Sequence, residues 1–120
     1  MSSPGLDARS PLAASAAVLG RKWHAIIVRR LLEDGPLGFS ALEASIPGVS
    51  GKVLSESLSD LQEKGVVRRT VLREQPTRVE YSLTERGEAL EGAVAELHRW
   101  GQEYLEETTE AVGASPGPAR

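Results

Sequence analysis

The spacing of apolar residues changes at Gly65, and that change restricts the possible folds of this chain more than any other feature. Before it, apolar residues recur at helical intervals. After it, Val66 to Leu72 is rich in β-branched residues, and Val79, Tyr81 and Leu83 alternate with Glu80, Ser82 and Thr84. A period of two with one apolar side marks a strand with one buried face. The two runs are separated by Arg73-Glu74-Gln75-Pro76-Thr77-Arg78, a polar loop containing proline, so together they predict a β-hairpin. Arg68, Arg69, Arg73 and Arg78 make its tip basic. Helical spacing returns after Thr84, which can cap a last helix carrying Leu90, Ala93, Leu97, Trp100 and Tyr104, with Val94 and Leu105 widening the stripe. The expected fold class is mainly α with a small β-hairpin.

The part before Gly65 divides into four helices. Ser10-Pro11 is an N-cap followed by proline at the first helical position, opening a short alanine-rich helix that ends at Gly20. Trp23, Ile26, Ile27, Arg30 and Leu31 follow the spacing of one helical face, which places Trp23 with the core, and Gly35-Pro36 ends that helix. Phe39-Ser40-Ala41-Leu42-Glu43 reads as a capping box, Ser40 at the N-cap and Glu43 three residues later. Ile46-Pro47-Gly48-Val49 breaks this short helix, and Ser50 caps the next. That helix buries Leu54, Leu58 and Leu61, turns Lys52, Ser55, Glu56 and Ser59 the other way, and stops at Gly65 in a left-handed cap. Two short helices joined by a turn form a helix-turn-helix pattern. With a basic hairpin after them, the order is that of a winged helix.

Length and composition narrow the function. At 120 residues the chain is expected to form one domain, over 10–110, with disordered tails at 1–9 and 111–120 and a C-terminal dimer helix over about 84–110. The breadth of the last helix's apolar stripe calls for a second surface, and a partner subunit supplies one. No apolar run is long enough to span a membrane, and no secretory signal is visible, so a cytoplasmic location is expected. There is no cysteine, hence no disulfide, thiolate ligand or thiol nucleophile. His24 and His98 stand in no metal-ligand spacing and no phosphate-binding glycine loop is present, so neither an enzyme nor a cofactor is expected. The net charge of -3 is unevenly spread: residues 1–87 hold 12 cationic and 10 anionic groups, residues 88–120 hold 2 and 7. The acidic end suits a role away from nucleic acid, the rest suits one against it.

The chain resembles the HxlR-type winged-helix transcription regulators, relatives of the MarR group, from about Ser10 to Tyr104. The likeness rests on Leu19-Gly20-Arg21-Lys22-Trp23, on Gly35 to Leu42, on Ile46-Pro47-Gly48-Val49-Ser50, and above all on Pro76 to Thr84. It implies N- and C-terminal dimerisation helices and a homodimer on an inverted-repeat operator, with a recognition helix in each major groove and a wing near the minor groove. Many family members carry Cys-Pro near the start of the first helix as a thiol sensor. Here Ser10-Pro11 stands instead, which excludes thiol sensing. Gly38, Glu56 and Ser59 stand where relatives often have Arg, Gln and Arg.

On this basis the candidate DNA-contacting residues are Lys22, Ser40, Ser50, Lys52, Ser55, Glu56, Ser59, Arg73, Thr77 and Arg78, on double-stranded DNA. The candidate dimer surface is Leu90, Ala93, Val94, Leu97, Trp100 and Tyr104. A small-molecule effector between the dimer helices and the DNA-binding part is conceivable, but no residue specifies one. The alternative reading is a winged helix that docks protein and has lost most DNA affinity, since Gly38, Glu56 and Ser59 thin the positive surface.

Overall fold

Ser10 Oγ accepts a hydrogen bond from the Ala13 N–H at 3.0 Å, and Pro11 supplies the first residue of helix α1 (Pro11–Leu19), which ends at Gly20. Both limits are those the sequence predicts. The computed structural model describes the backbone of residues 10–113 and the side chains of residues 10–105. The tails expected at 1–9 and 111–120 lie outside the described residues, apart from the helical backbone at 111–113.

Helix α2 (Lys22–Asp34) buries a neighbouring stripe to the one expected. His24, Ile27, Val28 and Leu31 are buried, while Trp23 and Arg30 are half-buried and Ile26 is exposed. The rotation has a physical cause: His24 counts as polar in a periodicity argument, yet it has an acidic partner inside the fold. The next helix also differs from expectation. Helix α3 (Phe39–Ser45) has Gly38 at its N-cap and no side-chain cap, so Ser40 lies in the first turn and the capping box is not formed. Leu37 explains the shift. It forms an isolated antiparallel bridge with Tyr81, donating to its carbonyl at 3.0 Å and accepting from its N–H at 2.7 Å, and the chain enters the helix at once.

After the turn Ile46–Ser50, helix α4 (Gly51–Glu63) begins with Ser50 Oγ accepting from the Val53 N–H at 3.1 Å. Leu54, Leu58 and Leu61 are buried as expected, and Ser57 joins them. The end of α4 is a complete Schellman closure: Gly65 has φ +77°, its N–H bonds the Gln62 carbonyl, and the Val66 N–H bonds the Leu61 carbonyl. Arg86 Nη1 donates to the Lys64 carbonyl at 3.0 Å, and Thr84 Oγ1 donates to the Gly65 carbonyl. The carbonyls of Lys64 and Gly65, just past this helix end, are therefore taken up by residues beyond the hairpin.

The hairpin consists of β1 (Val67–Glu74) and β2 (Thr77–Leu83), paired antiparallel from Val67↔Leu83 to Glu74↔Thr77. The strands run further than expected, and only Gln75-Pro76, joined by a cis peptide, lies between them. Arg73 and Arg78 are thus cross-strand partners rather than loop residues. A bulge between Val71 and Arg73 inserts Leu72, and both Val71 and Leu72 are exposed. The core sits at the other end of the hairpin, where Val66, Val67 and Tyr81 join Ile27, Val28, Leu31, Leu42, Ile46, Leu54, Leu58 and Leu61. Each such aliphatic side chain contributes about 1.5–3 kcal/mol by burial.

Thr84 caps a helix, as expected, but a shorter one. Its Oγ1 accepts from the Gly87 N–H at 3.1 Å to start α5 (Glu85–Glu88), and the long helix α6 (Glu91–Gly113) begins after Ala89-Leu90. The Leu90 N–H bonds the Gly87 carbonyl three residues back, a tight turn that interrupts α-helical bonding. The chain divides into two units here, one ending at Leu90 and the other beginning at Glu91. Among the described residues no helix is long and apolar enough to cross a membrane.

Gly87 is buried, and a Cβ on it would overlap the Val66 carbonyl oxygen, which is backbone and has no rotamer to move into. Gly87→Ala is expected to destabilise the winged helix by about 1–3 kcal/mol, read as a lowered urea midpoint with unchanged slope.

Candidate nucleic-acid interface

Helix α4 presents Lys52, Ser55, Glu56 and Ser59 to solvent, as its spacing predicts. The lysine is not free. Its Nζ lies 3.4 Å from Glu56 Oε2, one turn on, with the two side chains 82% and 64% exposed. Lys64, at the C-terminal end of this helix, is held by Asp60 at 2.9 Å. Counting Lys52 and Lys64 against Glu56, Asp60 and Glu63, residues 51–64 carry one net negative charge.

The hairpin has the opposite character. Arg68, Arg69, Arg73 and Arg78 are all exposed, and among the described residues none has a carboxylate or carbonyl partner. By contrast Arg29, Arg30 and Arg99 pair with acidic residues of their own helices and Arg86 binds the Lys64 carbonyl. Arg73 stands directly opposite Arg78. Like charges facing each other across two strands are destabilising, so folding alone does not favour this pair. Thr77 neighbours them, its hydroxyl donating to the Glu74 carbonyl at 3.4 Å.

Lys22, Ser40 and Ser50 are exposed at the starts of α2, α3 and α4. Lys22 Nζ sits 4.7 Å from the centre of the Trp23 ring, a cation–π geometry. The far edge of that ring covers Gly48, whose φ of +90° shapes the turn before α4; a Cβ there would lie 3.7 Å from Trp23 Cη2. Trp23 is therefore half core and half a platform holding Lys22 beside the helix-turn-helix turn.

Sequence reasoning overlooked one polar cluster. His24 is 1% exposed and its Nε2 lies 2.7 Å from Asp60 Oδ2, while Lys64 Nζ lies 2.9 Å from both Asp60 oxygens. The cluster joins α2 to α4 by a charged hydrogen bond, worth more than a neutral one. Its signal was present, for His24 falls three, four and seven residues before Ile27, Val28 and Leu31. The nearby Lys64 and, after it, His24 hold the Asp60 carboxyl below its ordinary value of 3.8. Among the described residues no three His, Cys, Asp or Glu gather as metal ligands would.

Helix α6, taken by itself, exposes Leu97, Trp100, Tyr104 and Leu105, with the two aromatic rings 5.4 Å apart. Ala93 is also exposed, Leu90 is half-buried just before the helix, and Val94 is buried, so the apolar surface runs from Leu97 onward.

A helix-turn-helix with a basic hairpin is a winged helix, and the model of the HxlR-like helix-turn-helix family matches residues 18–109. The chain belongs to this family. It is 45% identical over 89 residues to the HTH-type transcriptional regulator YvaP of Bacillus subtilis, covering 74% of this chain and 82% of that one. YodB of the same organism, also an HTH-type transcriptional regulator, is 38% identical over 90 residues, 75% of this chain and 80% of YodB. The reduced form of YodB superposes with a TM-score of 0.67, covering 80% of this chain and 94% of that one. A MarR-family protein from Porphyromonas gingivalis superposes with a TM-score of 0.75 at 32% identity, over 82% and 96% of the two chains. YodB has been solved in a reduced form; this HxlR-like chain, without cysteine, has no thiol to reduce or oxidise.

The Asp60 cluster gives a pH test. A carboxyl whose folded value is depressed adds stability above its unfolded value, near 4, and loses it as pH falls through the folded value. Asp60→Ala, which strands buried His24, is expected to cost about 1–3 kcal/mol at neutral pH. The gap from wild type should narrow as pH drops below about 4 in urea-denaturation series.

Proposed function

We propose that this chain is a homodimeric, DNA-binding transcriptional regulator that recognises an inverted-repeat operator, with α4 in the major groove and the hairpin wing against the backbone and minor groove. The observation that carries the reading is the set of four wing arginines without an anionic partner, two of them facing each other. Duplex DNA supplies what that surface lacks. Phosphates accept guanidinium hydrogen bonds and remove the repulsion between Arg73 and Arg78. Lys22, steadied on Trp23, and the exposed hydroxyls Ser40, Ser50 and Thr77 are suited to further backbone contacts, while Lys52, Ser55, Glu56 and Ser59 face the bases.

The exposed row Leu97, Trp100, Tyr104 and Leu105 supports dimerisation through α6, with Ala93 at its edge. A two-fold dimer makes the operator an inverted repeat. The proposal includes a cytoplasmic location and no catalytic role; an effector, if bound, acts other than on a thiol.

The net negative charge of α4 favours the second reading, a winged helix that docks protein and barely binds DNA. Salt dependence separates the two. If the first holds, the affinity of the full chain for duplex DNA falls steeply with salt, and Arg73→Ala and Arg78→Ala each weaken binding and lower the log–log salt slope by about one for every phosphate left without its arginine. Fluorescence anisotropy with a labelled duplex at several salt concentrations measures this. No binding to any duplex at low salt would leave the second reading.

The dimer has its own test. Trp100→Glu with Leu97→Glu is expected to convert the species seen in sedimentation to a monomer while leaving the helical content of the winged helix unchanged.

A further inference from the structure

A carboxylate on the exposed face of a groove-reading helix is a liability among phosphates unless a base receives it. Glu56 is on that face, 64% exposed, and it holds the face's single cation, Lys52, at 3.4 Å. The pair sets an acceptor and a donor side by side, one helical turn apart, with no other charged side chain among Ser55 and Ser59 beside them.

We propose that Lys52 and Glu56 act together as a specificity-determining pair that reads one G·C base pair in each half-site, Glu56 on cytosine and Lys52 on guanine. The proposal rests on the DNA-binding reading above. In the major groove a G·C pair presents the cytosine N4 amino group as donor at one end and guanine O6 and N7 as adjacent acceptors. Glu56, an acceptor only, fits the amino group; the Lys52 ammonium, a donor only, fits the two acceptors. An A·T pair places its one donor, adenine N6, between two acceptors, N7 and thymine O4. A carboxylate brought to that amino group is flanked by acceptors on both sides and is repelled by each. Reversing the pair to C·G puts the ammonium against the amino group and the carboxylate against guanine.

The same arrangement explains why the helix carries no surplus positive charge. On DNA without the matching base pair, Glu56 neutralises Lys52 and opposes the phosphates, so α4 adds nothing to sequence-independent attraction, and the wing arginines supply it. Where the pair matches, both side chains exchange one another for bases. Binding by α4 is then contingent on sequence, and the wing is not.

Selection of bound duplexes from a randomised library, with the full-length protein, tests this. The wild type should enrich a site in which one G·C pair per half-site is preferred by about tenfold over the other three pairs. E56Q should lose that cytosine preference, because an amide offers both donor and acceptor, and should bind random duplex more tightly than wild type. E63Q, which removes an equal charge from the far end of the same helix, should keep the preference, and thermal melting of all three checks that each is folded. If wild type enriches a site and E56Q keeps the same base preference at every position, the pair does not read the base and the proposal is overturned. If wild type enriches no site, the DNA-binding reading itself has failed. An E63Q variant that loses the preference as E56Q does would assign the effect to helix charge and overturn the proposal as well.

Discussion

The closure at Gly65 is the point on which the winged helix depends. A recognition helix and a wing can work on one duplex only if their relative direction is fixed, and in this chain the two are separated by three residues. Gly65 turns the backbone through a conformation open to glycine, with φ +77°, and sends Val66 and Val67 into the core. The return strand is tied to the same spot. Thr84 and Arg86 bind the carbonyls of residues 64 and 65, and Gly87 packs on the Val66 carbonyl with no room for a side chain. Both ends of the hairpin therefore meet the end of α4, which holds the wing's base while its tip projects free.

A second tie sets α4 against α2. The bond between buried His24 and partly exposed Asp60 crosses from one helix to the other, and Lys64 holds the same carboxyl. Because the residue before His24 is Trp23, which covers the turn at Gly48 and carries Lys22 on its face, this tie also sets where the first cation of α2 stands relative to the start of α4. Burying an ionisable pair is costly unless its geometry is good. Here it links two elements that must keep one spacing, a positional role beyond stability.

Charge is distributed to match. Arg29, Arg30, Lys52, Lys64 and Arg99 are matched by carboxylates about a turn away, and the arginines of the hairpin are left without carboxylate partners among the described residues. In the proposed DNA-binding reading, sequence-independent attraction comes from the wing, and α4, with its slight negative charge, discriminates. The repulsion between Arg73 and Arg78 is tolerable at an exposed tip, where water screens it, and it is relieved by any polyanion laid between them.

By itself the sequence determined the elements and most of their order: the cap at Ser10, the leucines of α4, the left-handed Gly65 and the alternation in the hairpin are local, and local chemistry is what periodicity and caps report. The exposed polar face of α4 and the basic wing were legible for the same reason. What only the tertiary structure decided were contacts between residues far apart. The bridge from Leu37 to Tyr81 moved the start of α3 and undid the expected capping box; the Asp60 carboxylate drew His24 inward and rotated the buried stripe of α2. In each case a partner 44 or 36 residues away supplied a hydrogen bond that no local pattern contains.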